Sequence, residues 1–277
     1  MKLGLYGLIR GATGVDPEIV ARRARRAEQV GFESVWVGDH LALPPDAGGD
    51  RPRLEVVAAL SFLAAATERL RLGFGVIVLP QRQPVLLAKQ LATVDVLSGG
   101  RVLVGIGVGY VEPELRALGA SLADRGARTD EYLAVLRALW TGEPVSYAGR
   151  YVSFPEVVQV PPPRQRPHPP IVVGGHSPAA LRRAVRSGQG WYGVFLDPDQ
   201  TATALAELRR MAAGEDRPAE LGELEITVTP PGPVALDTAR RYADLGVHRL
   251  VLQSADVDGS DLDMLIDSAA ETLIGRV

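Results

Sequence analysis

The sequence contains no cysteine, which excludes disulfides, thiolate metal sites and a cysteine nucleophile. It has only four histidines and no closely spaced pair of them, so nothing indicates a metal site. The net charge of -3 gives no general affinity for nucleic acid or for an anionic membrane. Apolar runs are too short to span a membrane, and the apolar start is too short for a signal peptide. We therefore expect a cytoplasmic protein that acts on small molecules.

The chain is long and apolar enough for a large core, with 277 residues of which 46 % are hydrophobic and 23 % charged. A strand followed by a helix repeats along it. The first strand is predicted over Leu3–Ile9, and Asp16 and Pro17 are typical of an N-cap followed by proline at the first helical position. Gly31 ends that helix, and the next strand is predicted over 34–37.

The same pattern continues to the end of the chain. Further strands are predicted over 71–79, 101–107, 171–173, 191–196, 224–228 and 247–253. Helices are predicted over 54–68, 84–97, 112–118, 125–140, 178–187, 198–213, 236–245 and 262–274. Eight strand–helix units predict a (β/α)8 TIM barrel. A doubly wound open sheet is the alternative, but no fingerprint loop follows the first strand.

One segment interrupts the repeat. Residues 142–170 contain two short strand patterns, 145–147 and 151–154, followed by proline-rich stretches. Because the repeat resumes afterwards, we interpret this segment as a hairpin-containing insertion between the fourth and fifth barrel strands. The whole chain, 1–277, is then expected to be one barrel domain.

Two adjacent polar residues follow the buried strand 34–37. Gly38 ends the strand, and Asp39 and His40 come directly after it. Ligands of parallel α/β folds bind at such carboxyl ends, and a histidine can exchange a proton near neutral pH. The alternatives are that Asp39 caps the next segment and that His40 is an ordinary satisfied polar residue. The loop 41–53 beside them is either a lid or substrate wall, or a variable surface loop.

Glycines and small polar residues follow three other predicted strands. These residues are Gly75, Val76, Gly107, Val108, Gly109, Gly174, Gly175, His176 and Ser177. Glycines on a strand face indicate that a ligand or a neighbouring strand approaches the backbone closely. The run 105–109 lacks the third glycine of the dinucleotide fingerprint.

The loop from Gly174 to Ser177 has the chemistry of a phosphate site. It precedes a helix that begins at Pro178, where free N–H groups and the positive end of the helix dipole favour an anion. The alternative is an ordinary helix start, with Ser177 as N-cap. Combined with His40 and the other strand ends, the pattern predicts a flat phosphorylated cofactor across the barrel mouth.

Five segments resemble the luciferase-like monooxygenase superfamily, and more narrowly its branch that uses coenzyme F420. They are 35–40, 65–73, 84–101, 125–132 and 169–175, and the similarity runs from the first strand to about Trp191. The resemblance implies a TIM barrel, usually dimeric, with an insertion near the middle and the cofactor at the carboxyl-terminal end of the barrel. We therefore expect a homodimer.

The resemblance also implies roles for individual residues. Asp39 and His40 would lie by the deazaflavin, and a non-prolyl cis peptide at Gly75–Val76 would press against its ring. Residues 107–109 and 174–177 would line the cofactor tail and phosphate. The implied reaction is hydride transfer between C5 of the cofactor and a small organic substrate, with His40 moving the accompanying proton and Asp39 orienting it or bonding the ring edge.

Two other functions are compatible with these residues: an FMN-dependent monooxygenase that uses reduced flavin and oxygen, and a non-catalytic protein that binds a flavin or deazaflavin. The sequence also departs from the branch at two positions. Tyr110 stands near the place of an acidic proton donor in its dehydrogenases, with Glu112 and Glu114 beyond it, and Gln189 replaces an aspartate found in many relatives.

Overall fold

The computed structural model describes residues 1–214, 217–256 and 259–277. Its strands are β1 (Lys2–Tyr6), β2 (Ser34–Val37), β3 (Arg71–Phe74), β4 (Ile77–Val78), β5 (Val102–Gly107), β6 (Val145–Ala148), β7 (Ser153–Val157), β8 (Ile171–Gly174), β9 (Gly190–Val194), β10 (Glu225–Thr229) and β11 (Arg249–Gln253). All except β6 and β7 form one parallel sheet in the order β3-β2-β1-β11-β10-β9-β8-β5-β4. A further pairing of β3 with β5 closes the sheet, which confirms the TIM barrel.

The helices surround this barrel. They are α1 (Pro17–Val30), α2 (Val56–Ala66), α3 (Pro84–Leu97), α4 (Glu112–Ala117), α5 (Arg125–Trp140), α6 (Pro178–Ser187), α7 (Pro198–Gly214), α8 (Leu236–Asp244) and α9 (Leu262–Thr272). The predicted caps of α1 are confirmed: the Asp16 carboxylate accepts from the N–H groups of Glu18 and Ile19, and Gly31 adopts a φ of 108°. Within the described ranges, no helix is long and apolar enough to cross a membrane.

Three predicted strands were wrong near their carboxyl ends, and one of them, 191–196, ends at Val194 because Phe195 has a φ of 58°. The first ends at Tyr6 rather than Ile9, because Gly7 has a φ of 111°, which a strand cannot accommodate. The third divides into β3 and β4, and the bond between Gly75 and Val76 in the gap is a non-prolyl cis peptide. The cis bond implied by the family resemblance is therefore present.

The barrel interior is filled by side chains. Trp36 is fully buried at its centre, and its ring lies 5.2 Å from that of Tyr192. A side chain at Gly73 would collide with the Trp36 ring, so a glycine is needed there. Because the interior is packed, a ligand has room only at the rim.

The insertion forms the predicted hairpin, in which β6 pairs antiparallel with β7. Its second strand begins at Ser153 rather than Tyr151. The reason lies on α5: the Glu131 carboxylate accepts from the N–H groups of Tyr151 and Val152, both at 2.8 Å, so these amides anchor the turn to the helix.

Candidate active site

His40 is held at the rim of the barrel by a buried carboxylate. Its Nδ1 lies 3.0 Å from Oε2 of Glu114 on α4, and the Glu114 side chain is 3 % exposed against 24 % for that of His40. The other Glu114 oxygen accepts from the N–H groups of Leu41 and Ala42. Since a carboxylate only accepts, Nδ1 is assigned the proton, and in the neutral ring Nε2 then carries the lone pair.

Glu114 was not predicted as a site residue. It is separated from His40 by 74 positions, and only its place just beyond Tyr110 at a strand end gave any signal. Tyr110 itself is 76 % exposed, and its ring stands edge-on to His40 with 6.0 Å between centroids. The acidic group beside the histidine is therefore contributed by α4 rather than by residue 110.

Asp39 is buried and fully engaged by the protein. Its carboxylate accepts from the N–H of Val78 at 3.1 Å and from Arg82 through Nε at 3.1 Å, with a second, shorter contact to Arg82 Nη2. Arg82 also donates to Glu55 at 2.7 Å. Burial raises the pKa of Asp39, and the opposing effect of Arg82 is smaller.

These bonds give Asp39 a positioning role, because they tie the end of β2 to the segment after β4. Its contact with a cofactor stays a prediction.

The glycines that end β5 and β8 make room for the protein's own Val76. A Cβ at Gly107 would lie 2.6 Å from Val76 Cγ2, and one at Gly174 would lie 2.8 Å from Val76 Cγ1. Gly109 has a φ of 77°, and a Cβ there would lie 2.6 Å from a methyl group of Val78. The close approach expected at these glycines is thus made by a neighbouring strand segment. Contact of residues 107–109 with a cofactor tail stays a prediction.

The loop before α6 is held by hydrogen bonds at the same rim. The Ser177 hydroxyl caps α6 by accepting from the Ala180 N–H at 3.3 Å, and the Gly175 carbonyl accepts from Trp191 Nε1 at 2.9 Å. Burial lowers the pKa of His176, whose Nε2 accepts from the Val194 N–H at 3.1 Å. Ser177 is therefore the N-cap, and its contact with a phosphate stays a prediction.

A family model described as luciferase-like monooxygenase matches residues 1–264. The chain belongs to the luciferase-like monooxygenase family. An uncharacterized protein of Mycobacterium tuberculosis (strain H37Rv) is 33 % identical over 245 residues, which cover 83 % of this chain and 82 % of that protein.

Two relatives of this luciferase-like chain are named for different cofactors. An F420-dependent glucose-6-phosphate dehydrogenase of Microbacterium testaceum is 31 % identical over 231 residues, covering 80 % of this chain and 67 % of that one. An FMNH(2)-dependent dimethylsulfone monooxygenase of Pseudomonas putida is 30 % identical over 217 residues, which cover 77 % of this chain and 59 % of that protein. Membership of this family supports an oxidoreductase.

A solved structure shares the fold. An F420-dependent secondary alcohol dehydrogenase in complex with an F420-acetone adduct superposes with a TM-score of 0.79 at 19 % identity, over 100 % of this chain and 99 % of that one.

The second departure from the family pattern lies far from the rim. Gln189 Oε1 accepts from the N–H of Ile171 at 2.9 Å, where β8 begins. The amino-terminal end of a strand faces the bottom of the barrel, so Gln189 fixes strand geometry there rather than contacting a ligand at the mouth.

Proposed function

We propose that this luciferase-like protein is a cytoplasmic coenzyme F420-dependent oxidoreductase that transfers a hydride between C5 of the deazaflavin and a small organic substrate. The observation that carries the proposal is the His40–Glu114 pair at the rim, which presents one imidazole nitrogen as a proton acceptor. The 31 % identical F420-dependent dehydrogenase supports this choice of cofactor.

The rim residues fit a flat molecule with a phosphate. The cis peptide Gly75–Val76 offers a floor of backbone and one apolar side chain. Gly175 keeps a φ of 116°, and a Cβ there would lie 3.1 Å from that of Ala180, so the loop backbone stays open beside the first turn of α6. Ser177 caps the Ala180 amide and Pro178 has no N–H, so Ala179 provides the first-turn N–H for an anion. Gly75, Val76 and residues 107–109 would hold the ring and tail, and residues 174–177 the phosphate.

When bound, coenzyme F420 supplies the hydride donor or acceptor at C5. The chain supplies the proton chemistry. His40 Nε2 takes the proton from a substrate hydroxyl as that substrate is oxidised, or returns it in the reverse direction. Glu114 keeps the ring in the tautomer that leaves Nε2 free, and its carboxylate stabilises the imidazolium that forms.

An apolar helix surface supports a homodimer. The helix α2 contains no charged residue, and its outer face carries Phe62, which is 40 % exposed. On α3, Leu86 is 58 % and Leu97 is 73 % exposed. Such a surface is typical of a subunit interface. Light scattering of the native protein and of a Phe62→Glu variant tests it: we expect a dimer that the charge weakens, and a native monomer would contradict the proposal.

A second candidate, an FMN-dependent monooxygenase, is favoured by the 30 % identical dimethylsulfone enzyme. Fluorescence titration of the purified chain with coenzyme F420 and with FMN separates the two. We expect F420 to bind at least about tenfold more tightly, a free-energy difference of about 1.4 kcal/mol. Tighter binding of FMN would favour the monooxygenase, and failure of both to bind would contradict the proposed function.

A further inference from the structure

The guanidinium groups of three arginines near the barrel mouth form hydrogen bonds or ion pairs with other groups of the protein. Arg82 binds the carboxylates of Asp39 and Glu55. Arg125 donates to the carbonyl of Gly109 at 2.8 Å. Arg53 donates to the carbonyl of Gly48 at 2.6 Å and to that of Arg51 at 3.3 Å. Each of these cations therefore acts as a brace for the rim.

Arg10, just after β1, differs from these braces. Its guanidinium lies over the ring of Tyr6, with 5.2 Å from Cζ to the ring centroid. The Nε is buried, and across 1–214, 217–256 and 259–277 no acceptor bonds it. A buried N–H donor without an acceptor is costly, and the half-buried guanidinium has no anionic partner there, so this arrangement is best completed by an anion.

The position of Arg10 is fixed by the backbone. Arg10 and Arg53 form an antiparallel bridge between two loops. The Gly11 N–H donates to the Pro52 carbonyl at 2.9 Å, and the Leu54 N–H donates to the Ile9 carbonyl at 3.3 Å. The ring of Tyr6 supports the guanidinium plane from one side. Little order is therefore left to be gained when an anion binds.

Tyr6 connects Arg10 to the catalytic rim. Its hydroxyl lies against Gly38, two residues before His40. Burial raises the pKa of Tyr6, Arg10 lowers it, Tyr110 raises it and Arg53 lowers it. Tyr110 in turn stands edge-on to His40. The Tyr6 ring therefore connects Arg10 to the strand end that carries His40, and Tyr110 stands beside that histidine.

We infer that Arg10 binds a carboxylate or phosphate group carried by the substrate on which His40 acts. A guanidinium with unused donors matches the paired oxygens of such a group, and charge-assisted bonds of this kind are among the strongest in proteins. The substrate class is thus an organic anion. That the bound anion is the substrate rests on the proposed function, whereas the anion site itself rests on the contacts of Arg10 alone.

Calorimetric titration of the cofactor-free chain with benzoate, and with its uncharged analogue benzamide, tests the site. We expect benzoate to bind the native protein and benzamide to bind at least about tenfold more weakly. The Arg10→Gln substitution should lower the affinity for benzoate by a similar factor. Arg10→Lys keeps the charge and should retain part of the affinity. The matched control is Arg51→Gln, which removes an exposed charge from the adjoining loop and should leave benzoate binding unchanged.

Equal binding of benzoate and benzamide, or an equal loss in Arg10→Gln and Arg51→Gln, would overturn the site. Repeating the titration with coenzyme F420 or FMN present separates a substrate anion from a cofactor phosphate. Benzoate should still bind, and its displacement by the cofactor would overturn the substrate assignment. Benzoate binding that depends on Arg10, in a chain that binds neither cofactor, would support the anion site and contradict the proposed function.

Discussion

Each end of the barrel buries a charged network, and the two networks differ in how completely their polar atoms are paired. At the amino-terminal end, Arg249 is 1 % exposed and bonds Glu33 at 2.8 Å and Glu225, while its guanidinium lies 5.6 Å from the Trp36 ring. At the carboxyl-terminal end, His40 bonds Glu114 through Nδ1, and its Nε2 has no hydrogen-bond partner among the residues that the structure describes. A network whose polar atoms are all paired can only stabilise the fold, whereas one with an unpaired nitrogen can also bind a ligand and exchange a proton.

His40→Ala should have the largest effect, because it removes the only group that the account assigns to proton transfer. We expect turnover to fall about 10²- to 10⁴-fold, with coenzyme affinity changed less than about threefold. His248 offers a control at the opposite end, where its Nδ1 accepts from the Ile226 N–H at 3.0 Å. His248→Ala should lower the midpoint of urea unfolding and leave turnover of the folded protein intact. Equal turnover losses in both variants would break the distinction between the ends.

Arg249→Met should be the largest stability change. It leaves the carboxylates of Glu33 and Glu225 without their shared cation, at an expected cost of about 3 kcal/mol in the free energy of unfolding. The control is Arg241→Met, which breaks an ion pair with Asp199 whose side chains are 58 % and 89 % exposed, and should cost under about 1 kcal/mol. Urea unfolding measures both. A comparable loss of stability in the two variants would show that the buried Arg249 network contributes no more than an exposed ion pair.

Glu114→Gln sharpens the account of the upper end. The amide can still accept from Leu41 and Ala42, but its NH2 group then faces His40 Nδ1 and favours the opposite tautomer. We expect turnover to fall about tenfold to a hundredfold. Nitrogen-15 NMR of His40 should show the proton moved from Nδ1 to Nε2. Glu112→Gln, at the exposed start of the same helix, is the control and should change neither signal nor rate.

Part of the pH dependence of stability should originate in Glu33 and Glu225 at the lower end. Burial alone would raise the pKa values of Glu33 and Glu225, but Arg249 together with Lys2 outweighs burial, and both pKa values are lowered from 4.5. Their contribution is therefore present above 4.5 and lost as the pH falls through the lowered values. Urea unfolding from about pH 6 to about pH 3 should show the native chain losing more stability than Arg249→Met. Parallel curves would contradict this assignment.

Ser177 gives the smallest expected effect and separates its two roles. Ser177→Ala removes the cap of α6 and should cost about 1 kcal/mol, whereas Ser177→Gly should cost only a few tenths. Both variants remove the hydroxyl, so both should weaken coenzyme binding equally if that hydroxyl contacts the phosphate. Unchanged affinity in both would limit Ser177 to capping.

Local signals in the sequence were sufficient for much of the fold. The caps at Asp16 and Gly31 placed α1, and the predicted bounds of α3, α5 and α6 are confirmed. These signals depend on neighbours a few residues away, so the sequence displays them directly. The split of the third strand depends on the peptide geometry at Gly75, which no periodicity reveals.

The site was predictable in position but not in its pairings. His40 was expected at a strand end because parallel strands share one rim. Its partner Glu114 and the Asp39–Arg82 pair join residues that are 74 and 43 positions apart. The glycines after β5 correctly indicated a close approach, but the approaching group is Val76, and only three-dimensional packing decides between a ligand and a side chain.

The central claim, that a planar redox cofactor binds at the mouth beside His40, is tested most directly by NMR of the four labelled histidines during titration with coenzyme F420. We predict that the signals of His40 and His176 shift together on saturation, while those of His168 in the insertion and His248 at the opposite end stay in place. Saturable binding that leaves the His40 signal unmoved, or that shifts His248 instead, would contradict it.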